Sequence, residues 1–328
     1  MDELNVAIAQ EFSRASRVVV VSHLRPDGDA IGSALGLGLA LQAQGKTVEI
    51  VFADGIPSSF RHLPTSNQVK RVASQEPALL VVVDCSDMLR TGGVLGDRVP
   101  DINIDHHVTN EQFARYNYVL PEAVATSAIL AAMLPAWGLV INRDVAACLL
   151  TGLVSDTLGF RTSNMTSEAL RLAADLMDLG ADLPTLYMRA LVQRSLVATR
   201  YWGQALDRLE HSNGMVWTSM TLQDRLRVGY SGKDDADLIN VLSSIDEAEI
   251  ALIFIQQNKE QVKVSWRSVP GIDVSQIAVQ FGGGGHPAAS GAMINGTMES
   301  VQQRVLEATR TLLANSNRNV KPQGIAED

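Results

Sequence analysis

Cysteine is nearly absent: Cys85 and Cys148 are the only two in 328 residues, and both lie in apolar runs. Two such cysteines argue against a disulfide framework and point to buried free thiols in a reducing compartment. Basic residues are outnumbered, 27 Lys and Arg against 36 Asp and Glu, for a formal charge of −9. A general polyanion-binding surface is normally basic. Any nucleic acid handled by this chain is therefore expected to be short and held by a few specific groups. The longest apolar stretch, "AAMLPAWGLVINRDVAACLLTGLV", is broken by Pro135, Arg143 and Asp144 and offers no membrane span. The start "MDELNVAIAQ" is acidic and lacks the basic start and long apolar core of a signal peptide, so the expected location is cytoplasmic. Histidine is scarce as well, six in all.

The remaining composition, 46% hydrophobic and 19% charged, is that of a globular protein with room for two domains. Four short runs, "RVVVVS", "TVEIVF", "ALLVVVD" and "DINID", are nearly continuous in apolar, β-branched residues. Such runs predict strands of a parallel sheet buried on both faces. Between the first two lies "DGDAIGSALGLGLALQAQG", of helical length, with Gly45 as its stop and Gly32, Gly36 and Gly38 placed for close packing on the sheet. The expected fold class is α/β: residues 1–183 form an N-terminal domain with a parallel β-sheet flanked by helices, and 184–211 a helical connector. Residues 212–316 form a smaller C-terminal α+β domain, and 317–328 a loose tail. The strands of the second domain, "GMVWTSMT", "AEIALIFIQQ" and "QVKVSWRS", alternate like half-exposed strands, with helical runs at 235–245 and 298–314.

Polar residues fall at the strand ends. The first run leads into His23, the third ends on Asp84, and the fourth ends on Asp105 followed by His106 and His107. Open parallel sheets bind ligands at the carboxyl edge of their strands. In "SHLRPDGDAIG", Pro26 delays the helix and leaves Asp27 and Asp29 in the loop, where both can face one point. "TGLVSDTLGF" adds Asp156 after an apolar helical run. Taken singly, Asp27 is a fair helix cap, Asp29 a first-turn charge, Asp84 a turn cap and His106 a core histidine. Taken together at one edge with two imidazoles, the four carboxylates would repel one another unless some took up protons or two divalent cations balanced them. Mixed His and Asp donors suit Mn²⁺ or a similar borderline metal. One carboxylate shared by two ions would set the spacing used in two-metal phosphoester hydrolysis.

These four segments resemble the motifs of the DHH phosphoesterase superfamily, named for the Asp-His-His triplet. "VSWRSVPGIDVSQIAVQFGGGGHPAASGAMI" resembles the DHHA1 domain found with it. A chain with these two domains and no others is most similar to the bacterial group that cleaves short oligoribonucleotides and 3′-phosphoadenosine 5′-phosphate. The resemblance implies one metal on His23, Asp27 and Asp84 and a second on Asp29, Asp84, His106 and Asp156, with Asp84 as the bridge. It implies that Asp105 orients an imidazole and that His107 faces the scissile phosphate. The chain departs from the usual pattern at Ala114, Ala128, Ser155 and Leu158, none of which replaces a ligand.

In the second domain, "FGGGGHPAASG" offers Gly282, Gly283, Gly284 and Gly285, whose backbone N–H groups can approach a phosphate, with His286 beside them as a donor. No Lys-Ser or Lys-Thr follows, so an ATP-binding P-loop is not expected. Arg267 and Ser268 are candidate contacts to the nucleotide, and Arg161 a further one. The expected partners are short RNA oligonucleotides or small nucleotides, with no membrane; the assembly is left open, a homodimer being the candidate. The competing functions are a cyclic- or linear-dinucleotide phosphodiesterase, which relatives with the same two domains perform, and a nucleotide-binding sensor without catalysis. The second would first show a replaced ligand, and all six are present.

Overall fold

All four strands predicted in the first third form, and a fifth joins them. The structure, a computed structural model, describes residues 2–74 and 78–319. It divides into two compact units, Met1–Gln193 and Arg194–Asp328.

The first unit opens with α1 (Asp2–Arg14), β1 (Arg17–Val21), α2 (Gly28–Ala43) and β2 (Thr47–Val51). β3 (Leu79–Val83), β4 (Ile102–Asp105) and β5 (Tyr116–Val119) follow, then α3 (Thr126–Met133), α4 (Arg143–Asp156), α5 (Ser167–Asp178) and α6 (Leu183–Tyr187). The strands lie in the order β2-β1-β3-β4-β5, all parallel. β5, "YNYV", has no β-branched run and gave no signal in the sequence.

Successive side chains of a strand point to opposite faces. Val18 and Val20 accordingly join a core with α1–α4, while Val19 and Val21 join a smaller one with Ala73, Cys85 and Leu95. Burial on both faces is the physical cause of the continuous apolar runs, although helices cover only one face of the strands.

α2 lies against α4. A Cβ on Gly32 would come 2.4 Å from the Cys148 carbonyl, and one on Gly36 2.8 Å from the Leu149 side chain. These two glycines therefore serve helix–helix contact rather than the contact with the sheet expected of them. Of the three, only Gly38 meets a strand, against Ile50 of β2. Two further glycines continue the seam: a Cβ at Gly28 would overlap Ser155, and one at Gly152 would overlap Ser127 and Asp29.

The second unit contains α7 (Leu196–Leu206), β6 (Glu210–Ser212), β7 (Met215–Met220), α8 (Leu222–Val228), α9 (Leu238–Leu242), β8 (Ile250–Asn258) and β9 (Gln261–Ser268). α10 (Ser275–Gln280), β10 (Gly284–His286), β11 (Ala289–Asn295) and α11 (Met298–Asn319) complete it. Its sheet runs β10-β11-β9-β8-β7-β6, antiparallel except for β7 with β8. β8 is not half-exposed. Ile250 to Ile255 are all buried, because α10 and α11 cover one face of the sheet and α7 and α9 the other.

Segment 184–211, read from the sequence as a connector, is shared out. Leu186 and Ala190 pack into the first unit, whereas Tyr201 and Ala205 of α7 pack on the second unit's sheet. α11 continues to Asn319, beyond the expected helix end, and the rest of the expected tail lies outside the described residues. Among the described residues no helix is long and apolar enough to cross a membrane.

Candidate metal centre

β1, β3 and β4 are neighbours, so their carboxyl ends deliver His23, Asp84 and the Asp105–His107 triplet to one edge. Asp84 stands at the middle. It is 2% exposed and its φ is +53°, a left-handed conformation that carries strain in a residue other than glycine. That geometry turns the carboxylate toward three imidazoles. Asp84 Oδ2 lies 3.5 Å from His23 Nε2, and Oδ1 lies 3.7 Å from His106 Nε2 and 3.8 Å from His107 Nδ1.

The other predicted groups collect around it. Asp27 caps α2 by accepting the backbone N–H groups of Asp29 and Ala30 on Oδ1, and its Oδ2 stays 3.9 Å from His23 Nε2. Asp156, the last residue of α4, reaches within 3.6 Å of His106 Nε2. Donor atoms of His23, Asp27 and Asp84 lie within 4.8 Å of one another, as do those of Asp29, Asp84 and His106. Both trios contain Asp84.

Two histidines could serve as metal ligands. His23 Nδ1 donates to the Leu24 carbonyl at 2.8 Å and His106 Nδ1 to the Ala123 carbonyl at 3.2 Å, which leaves each Nε2 lone pair facing the carboxylates. His107 differs: its Nδ1 is bound by Asp105 Oδ1 at 2.7 Å. Asp105 thus orients an imidazole, and that imidazole is His107.

Asn103 and Asn110, absent from the expected site, hold this pair in place. Asn110 Nδ2 donates to Asp105 Oδ2 at 2.6 Å and to Asn103 Oδ1 at 2.8 Å, while the fully buried Asn103 amide donates to the Val82 and Cys85 carbonyls. A polar residue inside the run "DINID" is the signal that could have revealed it. Thr126 and Ser127 were missed too. Their backbone N–H groups donate to the two Asp29 oxygens at 2.6 and 3.0 Å, and Thr126 Oγ1 donates to Asp84 Oδ1 at 3.0 Å. α3 begins after Ala125, which has no capping side chain, so Asp29 supplies the cap from another helix.

Charge balance tests whether the centre suits cations. Burial alone lowers His23, His106 and His107, but the neighbouring carboxylates, Asp84 foremost, Asp105 for His107, hold all three above their ordinary value. Burial alone raises Asp84, yet the three imidazoles outweigh it and keep this acid well below the carboxylate range. Asp29 has only one imidazole, His106, and Ser127 to offset its surroundings: burial, then the Asp84 charge, push it up to about 7. Burial and the charges of Asp29, Asp27 and Asp84 likewise raise Asp156. The metal-free cluster therefore balances its carboxylates with protons. Divalent cations can replace those protons, and the oxygen and imidazole donors fit them.

The remaining expected residues lie elsewhere. Arg161 is exposed in the turn after α4. In the second unit, Ala289 of β11 pairs with Arg267 on one side and with His286 on the other. Cross-strand partners share a face, so Arg267 and His286 flank a position filled only by a methyl group. Ser268 donates its hydroxyl to the Ile272 carbonyl at 2.6 Å, which commits its one proton to the loop. The glycines divide by role. Gly282 needs its φ of +74°, and a Cβ at Gly283 would lie 2.1 Å from the Gly291 carbonyl. Gly284 and Gly285 belong to β10, and of these two Gly284 faces open space while a Cβ at Gly285 would lie 2.5 Å from the Ala289 carbonyl.

Both units are similar to known proteins. Residues 17–153 match the profile of the DHH family, N-terminal domain, and residues 221–315 that of the DHHA1 domain. The chain is 35% identical over 297 residues to the bifunctional oligoribonuclease and PAP phosphatase NrnA of Thermus thermophilus, with 89% of each chain covered. It is 29% identical over 287 residues to the protein of the same name from Mycoplasma genitalium, covering 85% of this chain and 88% of that one. The crystal structure of an exopolyphosphatase-related protein from Bacteroides fragilis superposes with a TM-score of 0.84 at 28% identity, over 96% of this chain and 98% of that one. With a DHH domain in the first unit and a DHHA1 domain in the second, the chain belongs to the DHH family of phosphoesterases.

Proposed function

We propose that this protein hydrolyses short oligoribonucleotides and 3′-phosphoadenosine 5′-phosphate with the help of two divalent metal ions, Mn²⁺ being the best match to the mixed donor set. The observation that carries the proposal is Asp84, a buried carboxylate turned by a left-handed backbone into two overlapping donor sets. His23, Asp27 and Asp84 would hold one ion, and Asp29, Asp84, His106 and Asp156 the other. Cations bound there would lower the pKa of water toward neutrality and draw charge off the phosphoryl oxygens.

The chain's own groups do the rest. Asp105 fixes the His107 ring through Nδ1 and, with Asp84, favours its imidazolium form, whose Nε2–H would donate to a phosphoryl oxygen as negative charge builds there. Asn110 and Asn103 hold Asp105 against rotation. Strain at Asp84 and the cap that Asp29 gives α3 fix both carboxylates before substrate arrives. The second unit is assigned to substrate binding, with Arg267 and His286 on either side of Ala289 gripping a phosphate and its nucleoside. Ser268 shapes that surface through its bond to Ile272.

A panel of di- to pentaribonucleotides, 3′-phosphoadenosine 5′-phosphate and a cyclic dinucleotide, assayed with Mn²⁺, tests the proposal. Turnover of the short RNAs and the adenosine bisphosphate is expected, and Asp84→Asn should lose all of it. Faster turnover of the cyclic dinucleotide than of both others would shift the assignment to the competing phosphodiesterase. Tight nucleotide binding without turnover would favour the sensor.

A further inference from the structure

Beyond β2, the edge strand of the first unit's sheet, lies a surface cavity of about 460 Å³ lined by Gly55, Arg61, Ser66, Asn67 and Arg71 among others. Residues around Lys70 form its floor by pairing alongside the end of β2. Phe52 N–H donates to the Lys70 carbonyl and Lys70 N–H to the Ile50 carbonyl. Arg61 and Arg71 are both exposed, and among the described residues neither has a carboxylate within 4.0 Å. Among the described residues the Arg71 side chain is anchored only by one long bond to the Ala53 carbonyl. Exposed arginines are common. Here two of them, without a carboxylate partner among the described residues, line one cavity on a chain with a formal charge of −9. Gly55 adds to the pattern: its φ is +75°, and a Cβ there would stand 3.1 Å from Arg71 Nη2, over the guanidinium.

The cavity adjoins the metal centre's own loop. β2 is parallel to β1 with Val51 level with Val21, so the segment leaving β2 emerges at the edge that carries His23. Arg25 N–H donates to Asp54 Oδ2 at 2.8 Å, tying the His23–Asp27 loop to the turn beside Gly55. On the same segment, a Cβ at Gly28 would meet the Phe60 ring at 3.1 Å, next to Arg61.

We infer that Arg61 and Arg71 form a second anion subsite, which binds the phosphodiester backbone of an oligoribonucleotide away from the scissile phosphate. Guanidinium groups suit this task, since their planar fork matches phosphate oxygens and stays charged at any working pH. The inference rests on the proposed hydrolysis of short RNA. It deepens that proposal by giving the enzyme a reason to favour several nucleotides over a single one.

The test compares wild type with Arg61→Ala/Arg71→Ala on a pentaribonucleotide and on 3′-phosphoadenosine 5′-phosphate, which has no distal backbone. The expected result is a roughly tenfold rise in KM for the pentamer with hydrolysis of the bisphosphate unchanged. The slope of log KM against log salt should fall by about 1.4 in the double variant, about 0.7 for each single-strand phosphate that is no longer neutralised. Arg61→Lys/Arg71→Lys should keep most of the affinity. Unchanged pentamer kinetics, or an equal loss on both substrates, would overturn the subsite. Pentamer binding followed by fluorescence anisotropy separates this inference from the proposed activity. If wild type binds the labelled pentamer more tightly than the double variant, the subsite stands even where turnover fails. Equal binding by the two overturns it. Inorganic phosphate that binds wild type but not the double variant, with pentamer kinetics unaltered, would assign the cavity to free phosphate instead.

Discussion

Replacing Asp29 by asparagine separates what this carboxylate does for a metal from what it does to the metal-free fold. Asp29 is 1% exposed, and burial and then the Asp84 charge push its pKa from the ordinary 3.8 to about 7. The folded value exceeds the unfolded one, so the metal-free protein keeps a proton that the unfolded chain releases. The stability due to this group is fully present below 3.8 and is lost as pH rises through about 7. At about 1.4 kcal/mol per pH unit, the interval amounts to about 4 kcal/mol, an upper figure because Asp84, Asp156 and His106 exchange protons with Asp29. Asparagine escapes this penalty. It keeps one acceptor for the α3 N–H groups and turns its amide toward the other, at a cost of about 1–3 kcal/mol that does not vary with pH. Urea denaturation of EDTA-treated wild type and Asp29→Asn, repeated from about pH 4 to about pH 8, reads the difference. The variant should gain on wild type by up to about 4 kcal/mol across that range. Mn²⁺ should then stabilise wild type more than the variant, which keeps the His23, Asp27 and Asp84 donors but loses a carboxylate of the second set. A difference independent of pH would refute the idea that Asp29 is a buried acid waiting for a cation.

Two other substitutions probe the supports of the centre. Asn110→Ala removes the amide that Asp105 and Asn103 share and should lower kcat by roughly 10–100-fold with KM little changed, since groups of this kind act through the residue they orient; steady-state kinetics on a dinucleotide checks it. Gly152→Ala would drive a methyl group to 2.6 Å from Ser127 Oγ and 2.8 Å from Asp29 Oδ1. It should cost about 1–3 kcal/mol by overpacking and weaken metal binding as well. Gly203→Ala in α7, where nothing lies within 4 Å, should instead leave metal binding unchanged and stabilise by up to about 1 kcal/mol, as thermal denaturation and metal titration would show.

The parts of the fold legible in the sequence are those whose burial leaves a pattern. β1 and β3 read as continuous apolar runs because both of their faces are covered. β10 and β11 did not show, since "GGH" and "ASGAMIN" are built from small residues whose place is fixed by partner strands. The alternation assigned to β8 was wrong because α7 and α9 bury the face that it appeared to expose. At the centre, side-chain chemistry at strand ends identified the acids and imidazoles. What could not be read is what holds them: the left-handed φ of Asp84, the Asn103–Asn110 bridge, and the cap that Asp29 gives a helix nearly a hundred residues away. These depend on which segments become neighbours, and neighbours are set by the whole fold. Gly32 and Gly36 show the same limit, since spacing marks a close approach without naming its partner.

The central claim is that Asp84 joins two cation sites into one centre. Titration of the metal-free full chain with Mn²⁺, read by calorimetry and by anomalous diffraction from a soaked crystal, tests it most directly. Wild type should bind two ions on either side of the Asp84 carboxylate, and Asp84→Asn should bind neither at the same concentration. Full occupancy of both positions in the variant, or an ion bound with Asp84 uninvolved, would contradict it.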